Sequence, residues 1–301
     1  MTELSFSLLN DRGIIAIEGA DARDFLQGLI SNDITRVSPH QAIHGALLTP
    51  QGKYLHDFFI AQVGDKILLD CEKARAADLL KRLSLYKLRA KVTLSEETDD
   101  YSVAVLYGQT IEKMLGLEGA PGTAKETGGG ALFIDPRLAA VGARAILPKD
   151  TAEQTLKDAG SQPGEFSDYD ALRITLGLPD GSRDLVVEKS ILLENGFDEL
   201  GGVDWNKGCY MGQELTARTK YRALIKKRLL PVTIEGEAPA PGTPIMAGEK
   251  EAGEMRSHQG KVGLAILRLE HLDKDTPLTA GEAIITPKKP DWAVLVPAGG
   301  T

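Results

Sequence analysis

Short apolar runs alternate with polar segments along the first hundred residues. A β-branched run at residues 13–18 predicts a first strand. Asp21 is the predicted N-cap of a helical segment that extends to Ile30, in which apolar residues recur at helical spacing. Two further strands and a second helix are predicted at residues 55–61, 66–71 and 73–83.

The same order of elements returns in the next part of the chain. A strand, a helix, two strands and a second helix are predicted at residues 101–107, 111–115, 131–136 and 143–148, and from Asp150 onward. A β-α-β-β-α pattern that occurs twice predicts an internal duplication, in which each copy is an α+β layer with a partly antiparallel sheet. Residues 119–130, rich in glycine and threonine, are predicted to form an exposed loop.

The pattern changes after Arg228. Short strand-like runs, separated by glycine and proline clusters, occur at residues 229–234, 251–256, 261–267 and 282–287. Such closely spaced strands predict a small β-barrel or sandwich. We therefore predict an α+β chain of three parts: residues 1–98, residues 99–222 and a C-terminal barrel at 223–301. The first two parts can interleave as a discontinuous pair.

The composition is that of a soluble globular protein, with 301 residues, 42% of them hydrophobic and 26% charged. A net charge of −8 argues against general binding to nucleic acids or anionic membranes, which are themselves negative. No apolar stretch approaches the ~18 residues of a membrane span. The first ten residues lack the basic start and apolar run of a signal peptide and are poor in arginine, so a cytoplasmic location is expected.

Several common sites are excluded. No Gly-x-Gly-x-x-Gly follows the first strand, and Gly52-Lys53 lacks the preceding glycine of a phosphate-binding loop. The histidines show no zinc-ligand spacing with the cysteines; they are His40, His44, His56, His258 and His271. No metal site is predicted from this chain's own ligands.

The two cysteines have different surroundings, and no Cys-x-x-Cys pair is present. Cys71 ends an apolar run and is predicted to be buried. Cys209 lies between Gly208 and Gly212, and glycines permit backbone conformations that other residues avoid. The helix formers at residues 213–218 place Cys209 just before a helix N-terminus, where the partial positive charge favours a thiolate.

Basic residues surround Cys209 in sequence. Lys207 precedes it, and only Glu214 opposes the cations that follow, which are Arg218, Lys220, Arg222, Lys226, Lys227 and Arg228. Two simpler readings stay open: a lone cysteine can be a small buried hydrophobe, and a basic run can be a solvated face. A [2Fe–2S] cluster takes four protein ligands in most proteins, so a cluster bound by Cys209 requires a partner that supplies the others.

Residues 207–218 resemble the signature of the YgfZ family, which is related to the glycine-cleavage T protein. Residues 17–28 together with Asn32 and Asp33, and residues 173–179, 192–195 and 200–203, resemble further segments of that family, so the resemblance covers most of the chain. Residues 180–184 and the end of the signature favour the branch that contains the mitochondrial iron–sulfur assembly homologue. The resemblance implies that Cys209 is the essential thiol, and that the supporting residues of the signature are Lys207, Gly208, Tyr210, Gly212, Gln213, Glu214 and Arg218.

The resemblance also implies a fold and a role. The fold is two T-protein-like α+β units followed by a small β-barrel. The role is the maturation of [4Fe–4S] proteins by an assembly factor rather than an enzyme. An A-type carrier protein and [4Fe–4S] client enzymes are the implied partners, and a [2Fe–2S] cluster would be bridged transiently between Cys209 and the carrier. A family link to tRNA thiolation would be indirect, through radical iron–sulfur enzymes.

Tetrahydrofolate is the second implied cofactor, with Asp57 and Arg173 as candidate contacts. The sequence departs from the folate-binding pattern at three positions. Thr175 replaces a folate-contacting glutamate of T proteins, and Arg12 and Leu172 stand where some family members have tryptophan. Thr175 argues against aminomethyl transfer, which is the alternative function, and so does the single acid Asp57 where T proteins carry a pair. Arg12 and Leu172 weaken the case for a tight tetrahydrofolate site. Direct tRNA binding by residues 218–228 is a third hypothesis.

Overall fold

The computed structural model describes residues 4–108, 111, 116–117, 119–222, 225–272 and 276–295. The chain forms two compact units, and each is assembled from separate segments. The first contains Met1–Leu48, Leu55–Tyr169 and Gly201–Met211. The second contains Thr49–Tyr54, Asp170–Leu200 and Gly212–Thr301. Cys209 therefore belongs to the first unit, although it lies more than thirty residues beyond the last strand of that unit.

Residues 5–96 contain the first half of the strands and helices of the first unit. The strands are β1 (Ser5–Leu8), β2 (Arg12–Glu18), β3 (Ile43–Leu48), β4 (Tyr54–Val63), β5 (Lys66–Glu72) and β6 (Thr93–Glu96); the helices are α1 (Ala22–Gln27) and α2 (Ala76–Lys87). Five of these strands form sheet I in the order β3-β4-β5-β2-β6. Helix α2 covers the sheet because Ala76, Leu79 and Leu83 recur on one face and are all buried.

Sheet II contains the remaining strands of the first unit. They are β7 (Tyr101–Tyr107), β8 (Ala124–Thr127), β9 (Gly130–Ile134), β10 (Ala143–Pro148) and β11 (Gln162–Pro163), and the helix between the last two is α3 (Ala152–Asp158). The strand order is β11-β1-β7-β10-β9-β8. Strand β1 pairs antiparallel with β7, so the start of the chain belongs to sheet II and the two α+β parts interleave. The core of this half includes Leu106, Ile134 and Leu156.

Most predicted elements of this unit are present, with two differences. The loop prediction for residues 119–130 is wrong in part, because Ala124–Thr127 pairs with Gly130–Ile134 as a hairpin. Gly128 and Gly129 form its turn with positive φ values of 55° and 79°. The helix predicted at residues 111–115 lies almost wholly outside the described residues.

The second unit contains the predicted barrel. Its strands are β12 (Lys227–Glu235), β13 (Pro244–Ala247), β14 (Lys250–Gln259), β15 (Val262–Arg268), β16 (Leu278–Ala280) and β17 (Ala283–Pro287), and they close in the order β12-β15-β14-β13-β16-β17. Alternate residues such as Leu230, Val232 and Ile234 point into its core. The α+β class and the C-terminal barrel predicted from the sequence are confirmed.

The described residues form three more α-helices, which are α4 (Phe166–Thr175), α5 (Gly181–Asp184) and α6 (Gln213–Tyr221). None of the described helices is long and apolar enough to span a bilayer.

Candidate functional site

The two cysteines occupy opposite environments. Cys71 lies on β5 with its Sγ 3.6 Å from the carbonyl oxygen of Gly13, and burial raises the pKa of its thiol to about 12. A thiol with such a pKa stays protonated and inert at neutral pH. Cys209 is exposed in the segment that precedes α6. The prediction that Cys71 is structural is confirmed, and the alternative that Cys209 is a buried hydrophobe is excluded.

Lys207 fixes the segment on the N-terminal side of Cys209. Its ammonium donates to three backbone carbonyls that follow or end α1, at 2.8 Å from Gln27, 2.7 Å from Ile30 and 2.8 Å from Asn32. The side chain is buried, and burial lowers the pKa of Lys207 to about 8, although Asp33 and Asp204 oppose the shift. Because all three ammonium protons are directed at carbonyls, Lys207 acts as an anchor for the segment.

A second anchor lies on the C-terminal side of Cys209. The ring of Tyr210 is buried, and the Lys207 ammonium lies 5.2 Å from its centroid. The amide of Met211 donates to the carbonyl of Gly28 at 3.1 Å. Cys209 is thus exposed between two attached neighbours, which restricts the space that its sulfur can sample.

The start of the segment, at Gly201 and Gly202, is bound by residues that the sequence analysis did not identify as part of the site. The Ser31 hydroxyl donates to the carbonyl of Gly202 at 2.6 Å, and the Asn32 amide donates to the carbonyl of Gly201 at 2.7 Å. Asp204 accepts the amides of both Asn206 and Lys207 and so turns the chain toward Cys209. The only sequence signal was that Asn32 fell within the segment that resembles the family's N-terminal pattern.

The glycines on each side of Cys209 differ in role. Gly212 adopts φ +83°, a left-handed conformation that favours glycine, and it precedes the first residue of α6. Within the second unit, a Cβ on Gly52 (φ +72°) would lie only 2.8 Å from the carbonyl oxygen of Gly212. A Cβ on Gly208 would meet no atom within 4 Å, so no steric requirement for glycine exists there.

The predicted helix after Cys209 is α6, which Gln213 opens. Glu214 and Arg218 form an exposed i,i+4 ion pair at 2.5 Å, a type worth about 0.3–0.5 kcal/mol. The basic run does not form one solvated face. Arg228 is buried, donates to the carbonyl of Leu193 and pairs with Glu199, whereas Lys220 and Arg222 are exposed.

Asp57 belongs to a buried polar cluster of the first unit. Its carboxylate lies 3.1 Å from Nε2 of His44, and burial lowers the pKa of His44 despite the opposing charge of Asp57. Next to this pair, the Arg144 and Arg137 guanidinium groups stack on Phe59 at 3.9 and 4.8 Å from the ring centroid.

This cluster connects the two sheets of the first unit. Arg12 of β2 and Arg144 of β10 each bind the Asp70 carboxylate at 2.6 Å. Arg12 is thus committed to an ion pair at one of the positions where some family members have tryptophan. The structure gives Asp57 the same kind of internal partner, and its assignment to folate stays a prediction.

Arg173 is enclosed by acidic residues of the second unit. Its guanidinium binds Asp170 at 2.6 Å and Asp184 at 2.8 Å, and it donates to the Ser257 hydroxyl at 3.0 Å. With 1% of its surface exposed, Arg173 could reach the glutamyl tail of a folate only by breaking these bonds. Arg173 as it stands does not fit a folate contact, and its geometry favours a structural role.

Among the described residues, no three His, Cys, Asp or Glu side chains are grouped so that they could hold a metal ion. Within this part of the chain, Cys209 therefore has no second and third ligand of these types grouped with it, and a cluster at Cys209 shared with a partner stays a prediction.

Two family models match the chain. The CAF17 C-terminal beta-barrel domain matches residues 226–295, and the GCVT N-terminal domain matches residues 9–116. Among solved structures, the glycine cleavage system aminomethyltransferase T from Bartonella henselae superposes with a TM-score of 0.75 at 16% identity, covering 95% of this chain and 84% of the other. At that identity the likeness shows the fold alone, and it confirms the predicted T-protein-like architecture.

Curated relatives match over nearly the whole chain. The iron-sulfur cluster assembly factor IBA57, mitochondrial, of Mus musculus is 33% identical, over 94% of this chain and 84% of the relative. The human protein of the same name is 32% identical with the same coverage. A homologue from Coccidioides immitis is 30% identical over 97% of this chain and 78% of its own length. These relatives are named mitochondrial, so the expected cytoplasmic location is wrong and they point instead to the mitochondrion.

Proposed function

Since the chain belongs to the family of IBA57 iron–sulfur cluster assembly factors, we propose that it carries out this assembly through Cys209, as a cluster ligand shared with a second protein. The relatives are named as assembly factors, and the function of this chain is iron–sulfur cluster assembly rather than an enzymatic conversion. The observation that supports this proposal is that the Cys209 thiol is exposed between Lys207 and Met211, which are both hydrogen-bonded to the backbone near α1.

The anchoring matters because a shared cluster must be bound and then released. A ligand already held near its bound position loses little conformational entropy when iron arrives. Cys209 alone provides one sulfur, whereas a [2Fe–2S] cluster takes four ligands in most proteins. The partner therefore supplies three, and a complex of one chain with one carrier satisfies the cluster.

The transfer step is a ligand exchange. The Cys209 thiol loses its proton to solvent as its sulfur binds iron, and one partner thiolate leaves the same iron and takes up a proton. Iron keeps its oxidation state and its ligand count, so this step needs no oxidant or reductant.

For the partners, we propose an A-type carrier protein as cluster donor and [4Fe–4S] proteins as clients. Support comes from the family membership and from the lack of a three-residue ligand group among the residues that the structure describes. A YgfZ-type assignment within the wider family stays part of this proposal, on the strength of residues 207–218.

The test mixes the protein anaerobically with a [2Fe–2S]-loaded A-type carrier and follows visible absorption and the activation of a [4Fe–4S] client enzyme. Cys209→Ser should lose both the absorption change of the shared cluster and the activation. Cys71→Ser is the matched control, since Cys71 is buried, and it should retain both. Wild-type behaviour of Cys209→Ser would refute the proposed role.

The second candidate is a tetrahydrofolate-dependent transferase of the aminomethyl type. It is favoured only by the fold, and the burial of Asp57 and Arg173 weighs against it. Titration calorimetry with tetrahydrofolate separates the two: the transferase requires tight binding that Asp57→Asn weakens. If titration of the wild type with tetrahydrofolate releases or absorbs no heat, the transferase is excluded, and the proposed role of Cys209 is unaffected.

A further inference from the structure

A surface groove of about 470 Å³ lies on the first unit. One wall is α1 with the turn that follows it, at residues 21–29, and the other is the end of α2 with the segment after it, at residues 86–90. The apolar side chains of Phe25 and Leu29 line the first wall.

The groove adjoins the Cys209 segment. Gly28, which lines it, accepts the hydrogen bond from the amide of Met211, and the neighbouring carbonyl of Gln27 accepts the Lys207 ammonium. Two residues of chain span at most ~7 Å, so Gly28 lies within about 10 Å of the Cys209 backbone. The same turn that anchors the thiol thus forms one end of the groove.

Apolar residues are exposed at the opposite wall. Leu88 is 89% exposed, Leu85 67% and Tyr86 42%. A single exposed leucine is ordinary on a protein surface, but here three large apolar side chains are exposed within four residues of chain, and two of them, Tyr86 and Leu88, line the groove.

Leu88 is also held in a strained conformation. Its φ of 42° and ψ of −108° lie in a region that side chains other than glycine rarely enter. Strain of this kind is retained where the surrounding structure imposes it, and it is concentrated at functional sites. Here the result is that an apolar side chain is directed into solvent beside the groove.

The two walls are held together before any partner arrives. The Asp21 carboxylate accepts the amide of Lys91 at 2.7 Å, and the amide of Asp21 donates to the carbonyl of Lys91 at 3.5 Å. Asp21 was expected to cap α1, but its side chain makes no capping bond and connects α1 to the segment after α2 instead. The groove is therefore preformed.

A partner that shares a cluster with Cys209 must cover this surface. Interfaces of standard size bury about 800 Å² on each side, which corresponds to a patch with a radius of about 16 Å. A patch of that size around Cys209 includes Gly28 and the adjoining groove.

We propose that this groove is the docking surface for the carrier protein that shares its cluster with Cys209, an inference that rests on the proposed function. The carrier presents an apolar side chain next to its own cluster-ligating thiolates, and this side chain enters the groove between Leu29 and Leu88. Lys87 and Arg89 lie on one wall and Asp24 on the other, and these charges orient the carrier through groups of opposite sign on its surface. Apolar contact at the groove holds the complex while thiolates exchange at iron.

A larger residue at position 28 can fill the groove without disturbing the backbone. The φ of −80° at Gly28 suits any residue, and a Cβ there would meet no atom within 4 Å. Gly28→Phe places a ring in the groove without a backbone clash, and Gly28→Ala is the matched control. Leu88→Gly removes the exposed leucine and its strain together. Ile284→Ser, at a barrel position 44% exposed, controls for the loss of any exposed apolar residue.

The experiment measures the dissociation constant for the carrier, both apo and loaded with [2Fe–2S], by calorimetry. Gly28→Phe and Leu88→Gly should each weaken binding at least about tenfold, the effect of losing one good interface contact. Both should keep the native circular dichroism spectrum, and Leu88→Gly should melt at or above the wild-type temperature. Ile284→Ser should bind as the wild type does, and Gly28→Ala should weaken binding much less than Gly28→Phe.

The outcomes separate this inference from the function on which it rests. Wild-type affinity of both groove variants would overturn the docking surface while leaving Cys209 as the cluster ligand. A wild-type dimer in sedimentation, dissociated by Gly28→Phe, would assign the groove to a second copy of this chain and also overturn the proposal. Cys209→Ser should still bind apo-carrier through the groove but show no shared-cluster absorption. Retention of that absorption would instead refute the proposed function.

Discussion

Replacement of Lys207 by methionine tests whether the Cys209 segment is anchored as described. Methionine has a similar length but no charge and no donor, so it leaves three carbonyl acceptors without the ammonium that they bind in the structure. Hydrogen bonds from a charged donor contribute about 1.5–3 kcal/mol each, which gives about 4.5–9 kcal/mol for three.

The burial of the ammonium opposes this gain. The pKa of Lys207 falls from 10.5 to about 8, because burial outweighs the attraction of Asp33 and Asp204. Each pKa unit corresponds to about 1.36 kcal/mol, so these effects together disfavour the charged form by about 3.4 kcal/mol. The net contribution of the anchor is then about 1–6 kcal/mol. Lys207→Met should lower the free energy of unfolding by an amount in that range.

Urea unfolding measures the loss, and hydrogen exchange locates it. The amides of Asn206, Lys207 and Met211, which donate within the segment or to Gly28, should exchange faster in Lys207→Met. Lys250→Met, at an exposed barrel position, is the control and should change neither quantity. A variant as stable as the wild type, with unchanged exchange at these amides, would refute the anchoring role.

Three further predictions concern other residues. Arg173→Met should cost about 3–5 kcal/mol in urea unfolding, because the buried Asp184 loses its ion pair with Arg173 and Asp170 loses one of its two arginine partners; an unchanged stability with weakened folate binding would support the folate role instead. Burial, with Arg75 adding to it, lowers the pKa of His56 from 6.5 to about 4. The folded protein thus binds the proton less readily than the unfolded chain, so stability should fall by up to about 3 kcal/mol between pH 6.5 and pH 4, and His56→Gln should flatten this dependence in urea titrations. Iodoacetamide should alkylate Cys209 and leave Cys71 unmodified in the native protein, which peptide mass spectrometry checks; equal labelling would contradict the assigned environments.

The sequence predicted the architecture because its signals are local. Apolar spacing, β-branched runs and glycine or proline punctuation predicted most strands of sheets I and II and the barrel. Strand β1, Ser5–Leu8, was missed because a four-residue segment carries too little periodicity, and its pairing with β7 is set by residues a hundred positions away. The hairpin at Ala124–Thr127 was missed because its glycines were taken to indicate a loop.

The site was predictable only in part, for a similar reason. Cys209 was identifiable from its glycine and lysine neighbours, but its anchors are backbone carbonyls near Gln27 and Ile30, which no residue type reveals. Arg173 looked like an available cation because its carboxylate partners become neighbours only in the fold. Charge counted along the sequence therefore overestimates the basic surface, as the buried Arg228 also shows.

The most direct test of the account is whether iron binds the sulfur position of Cys209. Selenocysteine placed at residue 209 of a Cys71→Ser chain, mixed with [2Fe–2S]-loaded carrier, provides a single selenium for X-ray absorption at the selenium edge. If Cys209 is a cluster ligand, an iron atom is expected in the first coordination shell of that selenium. A selenium bonded to carbon alone, in a complex that still activates the client enzyme, would contradict it.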